Sequence, residues 1–175
     1  TRGVVEHCVI ANMATIGVQL RDECWGLSII HNVIHEFEGT HPDFFDPTKR
    51  VATGVVVDGA SDAKIFDNFF GWMSRGVHYV SGNTLRVIRN HFYGSTSDPD
   101  IFIPRVAFEV EAAAGRWKYS DNYTDTMRVV LKSFLGFMPQ NEFFKNTNRW
   151  PAGWKPSTAY AAGIYRCHED PATPG

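Results

Sequence analysis

Apolar residues recur along this chain in a fixed local pattern. An apolar residue, two variable residues and an Asn (once Cys) lead into a short apolar-rich pair. The pattern reads VEHCVI (5–10), IIHNVI (29–34), IFDNFF (65–70), VIRNHF (87–92) and YSDNYT (119–124). A second run follows each copy: GVQL (17–20), GVVV (54–57), GVHY (76–79), AFEV (107–110) and RVVL (128–131). Within the runs apolar and polar positions alternate, as in strands with one buried face. Val77 and Tyr79 share a face that His78 opposes; Phe108 and Val110 share one that Glu109 opposes. The segments are short, β-branched and aromatic, and DGASDA (58–63) and SGNT (81–84) read as turns, so strands rather than helices are predicted.

The spacing is steady in one half of the repeat and variable in the other. From run to next Asn it is 15, 14, 14 and 15 residues (17→32, 54→68, 76→90, 107→122). From Asn or Cys to the next run it is 9, 22, 8, 17 and 6 (8→17, 32→54, 68→76, 90→107, 122→128). A rigid half and a half that takes insertions predict a coiled solenoid. The repeated Asn has a physical reason. An inward amide carries both donors and acceptors for the bends between strands, and it tolerates left-handed backbone angles. Stacked at ~4.8 Å, Asn32, Asn68, Asn90 and Asn122 would form a ladder with buried Cys8 at its head and Asn141 as an extension.

These residues carry a family resemblance over about residues 4–145. IFDNFF and VIRNHF, each followed by a Gly-led strand, resemble rungs of the pectate lyase-like right-handed parallel β-helix superfamily. The resemblance implies an all-β, single-stranded parallel β-helix of about five to six rungs. It also implies a long carbohydrate chain as ligand. Families of this kind include polysaccharide lyases, epimerases and hydrolases, and trimeric phage tailspikes that cut surface polysaccharide. No catalytic signature of the best-known lyase families is present, so no catalytic residue carries over by motif.

Two features predict a site. The insertions 36–53 and 94–106 leave the same corner two rungs apart and should flank the rung between them. They offer Phe44, Phe45, Lys49, Arg50, Phe102 and Arg105 as sugar-binding groups. The second feature is the outward column of the runs. Third positions are Gln19, Val56, His78, Glu109 and Val130; fifth positions are Arg21, Asp58, Val80, Glu111 and Lys132. Asp58, His78, Glu109 and Glu111 are the candidate catalytic groups. Two rungs separate Asp58 from Glu111, which could bring two carboxylates into the ~6.5–9.5 Å range of inverting glycosidases. A lyase would instead use His78 as base, with Arg21, Arg105 or Lys132 neutralising a uronate carboxylate. The competing reading is a solvated sheet face, with Asp58 before Gly59 simply setting a turn.

Composition narrows the options. The 175 residues suit one core, and a net charge of −2 gives no general electrostatic case for nucleic acid or an anionic membrane. Aromatics at 14% fit core stacking as well as sugar platforms. Cys8, Cys24 and Cys167 are odd in number and lack metal-ligand spacing. His7 and His31 hold the solvent-tolerant turn position that Asp67, Arg89 and Asp121 take elsewhere, so no structural metal is predicted. No cofactor is predicted; calcium would suit the acids, but no motif specifies it. Neither a signal peptide nor a run long enough to span a bilayer is visible. The chain starts at Thr1 and enters an apolar strand at once without a cap. This predicts a fragment of a longer protein, or a first rung covered by a partner such as the other chains of a homotrimer. After about residue 145 the rhythm fails, and 146–175 holds 4 of the 9 prolines with Trp150 and Trp154. The prediction is therefore a β-helix domain over 1–145 and an irregular segment over 146–175.

The functional expectation is an extracellular or virion-associated protein that binds and cleaves polysaccharide, as a lyase or a glycoside hydrolase. The rival classes are a stiff structural spindle without catalysis and a non-catalytic carbohydrate-binding module.

Overall fold

A computed structural model describes residues 2–11, 13, 15–22, 24–35, 52–94, 106–127, 129–134, 140–149, 154–159 and 164–169, the last two by backbone alone. The predicted loop residues Phe44, Phe45, Lys49, Arg50, Phe102 and Arg105 lie outside these described residues.

The described residues form eighteen strands and no helix. The first repeat holds β1 (Val4–Glu6), β2 (Val9–Ala11) and β3 (Ile16–Leu20). The second holds β4 (Ser28–Ile30), β5 (Val33–His35) and β6 (Thr53–Asp58). Then come β7 (Ala63–Phe66), β8 (Phe69–Gly71) and β9 (Arg75–Ile88), whose second half opens the fourth repeat with β10 (His91–Tyr93) and β11 (Val106–Val110). The fifth holds β12 (Ala114–Ser120), β13 (Tyr123–Asp125) and β14 (Val129–Ser133). β15 (Glu142–Phe144) and β16 (Thr147–Arg149) precede β17 (Trp154–Ala159) and β18 (Ile164–Glu169).

Each repeat pairs in parallel with its neighbours. Ladder A runs β1-β4-β7-β9-β12-β15 and ladder B runs β2-β5-β8-β10-β13-β16. Ladder C runs β3-β6-β9-β11-β14, then antiparallel through β18 to β17. Because β9 crosses from C to A, the two join as one 12-stranded sheet beside the 6-stranded B sheet. The pairing is compatible with a β-helix-like solenoid. In the segment expected to be irregular, β16 continues ladder B and β17 and β18 form an antiparallel pair. Pro156 sits in β17, whose partner on one side is β18; an edge position tolerates the missing N–H.

The ladder lies inside. Asn32, Asn68, Asn90 and Asn122 are each no more than 2% exposed. Asn68 shows the logic: its Oδ1 accepts from the Asn32 backbone N–H at 2.9 Å and from Asn32 Nδ2 at 3.0 Å. Its Nδ2 donates to the Ile29 carbonyl and toward Asn90 Oδ1. Two sequence expectations are corrected. The extension is Asn146, whose Oδ1 accepts from the Asn122 N–H at 3.0 Å; Asn141 Oδ1 instead accepts from the Trp117 N–H at 3.1 Å. Cys8 does head the ladder, its N–H donating to Asn32 Oδ1, but the side chain is exposed because it belongs to the first repeat.

The left-handed residue is not the Asn but the one before it. His7, His31, Asp67, Arg89, Asp121 and Lys145 have φ between 52° and 57°. Their side chains stack outside the bend. The His7 and His31 rings lie 5.2 Å apart, and Arg89 grips Asp67 with two bonds of 2.8 and 2.9 Å. That hydrogen bond holds the Asp67 carboxyl below its ordinary range.

The repeated Gly also has a steric cause. A Cβ on Gly17 would lie 2.7 Å from the Gly54 carbonyl oxygen, one on Gly54 2.7 Å from that of Gly76. Alternate residues of ladders A and C fill the core, including Val55, Val77, Phe108 and Leu131. Aromatic rings stack through it: Phe70 on Phe92 at 4.8 Å, Phe108 on Tyr119 at 5.4 Å, Tyr119 on Phe143 at 5.5 Å.

Candidate functional site on the outer face of ladder C

Strand alternation puts Val77 and Tyr79, Phe108 and Val110, and Leu131 into the core. The residues between them therefore face out. Register sets Gln19 opposite Val56, Val56 opposite His78, His78 opposite Glu109 and Glu109 opposite Lys132. The last member corrects the sequence expectation: Val130 is fully buried, and Lys132 takes its place. The RVVL run pairs two residues further along than its spacing from AFEV implies, so Leu131 rather than Val129 lies beside Phe108. In the second row the Glu111 N–H bonds the Tyr79 carbonyl and the Phe134 N–H bonds the Val110 carbonyl. Phe134, 55% exposed, is thus the neighbour of Glu111 where Lys132 was expected.

Glu109 faces out yet is only 2% exposed. Two cations cover it: Arg75 bonds one carboxyl oxygen, and Lys132 Nζ lies 2.6 Å from the other. Burial alone would raise its pKa, but the hydrogen bond from Lys132 and the charges of Arg75 and Lys132 outweigh burial and hold the carboxyl below its ordinary value. Glu109 is therefore a fixed anion, ill-suited to donate a proton.

His78 is opposite Glu109 but bonded elsewhere. Its Nε2 lies 2.9 Å from Glu111 Oε1, one strand over and two residues on. The imidazole is partly shielded, at 18% side-chain exposure, and the Glu111 carboxylate is 34% exposed. A carboxylate on one ring nitrogen orients the ring and fixes its tautomer, leaving the other nitrogen to act as a base.

Asp58 stands apart from this pair. The ladder slips between Val57 and Asp58, which brings Asp58 opposite Ser81 instead of Val80, and its Oδ1 accepts from Ser81 Oγ at 2.8 Å. Gly59 follows with φ 86°, so Asp58 also ends the strand at a turn. Arg21 is exposed just past β3, at the far end of the ladder from Lys132. The structure thus brings His78, Glu109 and Glu111 together with Lys132. Asp58 lies on the flanking strand with its own partner, and Arg21 lies two strands from β9.

Arg75 and Phe134 escaped the sequence reading. Arg75 precedes Gly76, outside the alternating run, and Phe134 was hidden by the two-residue slip. Beside Glu111 a small cleft of ≈ 60 Å³ is lined by Val110, Trp117, Ser133 and Asn141. It has room for water rather than a sugar ring, so a long ligand would lie on the open face. The inserted segments follow His35 and Tyr93 in ladder B and precede Thr53 and Val106 in ladder C. Among the described residues no group of three or more His, Cys, Asp or Glu is placed to hold a metal ion.

No family model, curated protein or solved structure matches the chain.

Proposed function

We propose that this chain is a right-handed parallel β-helix of the pectate lyase-like kind. In this reading it binds a polysaccharide along the outer face of ladder C and cleaves it, at a cell or virion surface. The fold part of the reading is supported by the parallel pairing of successive repeats and the buried Asn ladder. The observation that carries the chemistry is the His78–Glu111 pair at 2.9 Å on an open, rigid face.

That pair favours elimination over hydrolysis. His78 takes the proton from the carbon beside a uronate carboxylate. The freed electron pair forms a carbon–carbon double bond as the glycosidic carbon–oxygen bond breaks, and the leaving oxygen takes a proton from water. Arg75 and Lys132 supply the positive field that stabilises the charge growing on the uronate carboxylate. Phe134 offers a ring face for a neighbouring sugar. Hydrolysis by two carboxylates fits less well, because Glu109 is held ionised and lacks the raised pKa of a general acid.

A non-catalytic rod or carbohydrate-binding module is the second reading. It is favoured by the pairing of Glu109, Glu111 and Asp58, which leaves each acid engaged within the protein. Incubation with a panel of acidic and neutral polysaccharides separates the readings. Absorbance of unsaturated products is expected to rise together with reducing ends. Reducing ends alone would mean hydrolysis, and binding without either would mean a module.

A further inference from the structure

The outer face of ladder A carries a second arrangement, remote in role from His78. Register aligns Lys64 with Arg86 and Arg86 with Lys118 on three adjacent strands. Their inward neighbours Ile65, Val87 and Tyr119 are fully buried, so all three cations face out, with 33%, 44% and 34% side-chain exposure. Arg116, two residues before Lys118 on the same face, is also exposed.

Like charges directly opposite each other on neighbouring strands repel. The described carboxylates offset this only in part. Asp62 is shared, 4.0 Å from Lys64 and 3.6 Å from Arg86, and Glu142 lies 3.1 Å from Lys118. Four cations thus face two carboxylates. A row two residues further along runs beside them: Ile30, Phe66 and Ile88, then the buried Ser120 on β12, then the 37% exposed Phe144. Arg89 lies over the Phe66 ring at 5.7 Å and Lys118 over the Phe144 ring at 4.7 Å.

We propose that this face binds an acidic glycan chain lying across the strands. Its carboxylates or sulfates meet Lys64, Arg86, Arg116 and Lys118, and its ring C–H faces rest on the apolar members of that row. The match is geometric. One cation recurs per strand at ~4.8 Å, close to the advance of one sugar ring in an extended chain. Nucleic acid fits less well, because the sequence pI is about 6.3, far from the basic range of nucleic-acid-binding domains. Cleavage on ladder C is not required for this binding.

The test is binding, without a turnover readout. Polygalacturonate, dextran sulfate, neutral dextran and single-stranded DNA are titrated against the full chain and against an Arg86→Gln, Lys118→Gln double variant whose fold is checked by circular dichroism. The wild type is expected to bind at least one of the two acidic glycans in preference to dextran and DNA, with affinity falling as salt rises. The double variant is expected to lose about ten-fold, as removal of two exposed charge contacts would give. No binding to either acidic glycan, equal binding to neutral dextran, tighter binding to DNA, or unchanged affinity in the folded double variant would each overturn the proposal.

Discussion

His78 Nε2 lies 2.9 Å from Glu111 Oε1, although the residue opposite His78 in register is Glu109. The choice of partner divides the two acids. Glu109 is buried between Arg75 and Lys132 and serves as a fixed anion, while Glu111 is left to orient the imidazole. Two outward carboxylates, one in β11 and one just past its end, therefore have different roles, set by their neighbours.

Glu109→Gln separates structure from chemistry. The folded pKa of Glu109 is depressed, so its contribution to stability is fully present above the unfolded value of about 4.3 and is lost as pH falls through the folded value. Arg75 and Lys132 are more than a third exposed, so water softens the loss, and about 1–2 kcal/mol at neutral pH is expected. Urea denaturation from pH 7 to 3 checks this: the wild type should lose its advantage over the variant toward the acid end.

Asn68→Ala should cost about 2–4 kcal/mol, because it strips the acceptor from Asn32 and the donor from Ile29 within the core. Cys8→Ser, at the exposed head of the same ladder, should stay within about 0.5 kcal/mol. Chemical denaturation of both variants gives the comparison. Equal losses would mean that the ladder does not depend on burial.

Most of this ladder could be read from the chain. The apolar-x-x-Asn pattern and the 14–15 residue spacing located four of its members. The FFKN copy at 143–146 carries the same pattern, and Lys145 has the same left-handed φ, so Asn146 was legible too; Asn141 was the misleading neighbour. The site was harder to read. Alternation assigned His78, Glu109 and Glu111 to one outer face, but a period of two cannot detect a two-residue slip between strands, which keeps every side chain on its face, and this concealed Lys132 beside Glu109 and Phe134 beside Glu111. Nor does alternation say which acid an imidazole will choose.

Gly54→Ala tests the close approach of neighbouring repeats. The added methyl would meet the Gly76 carbonyl oxygen, Met73 Sδ and Phe70 Cδ1, each at 2.7 Å. Overpacking of this kind costs about 1–3 kcal/mol. A thermal melt should show the loss, and an unchanged midpoint would mean that the repeats sit further apart.

Tyr119→Phe should be neutral or stabilising by up to about 1 kcal/mol. The ring is fully buried and its hydroxyl has no hydrogen-bond partner, so removing the oxygen relieves a desolvation cost while keeping the aromatic stack. Denaturant midpoints of the two proteins would decide it.

The most direct measurement is the initial rate of unsaturated-product formation on the best acidic polysaccharide of the panel, wild type against His78→Ala at matched fold. Loss of a positioned general base should lower the rate by at least about a hundred-fold. Product formation at the wild-type rate by His78→Ala, or no product from the wild type on any acidic polysaccharide, would contradict catalysis by the His78–Glu111 pair.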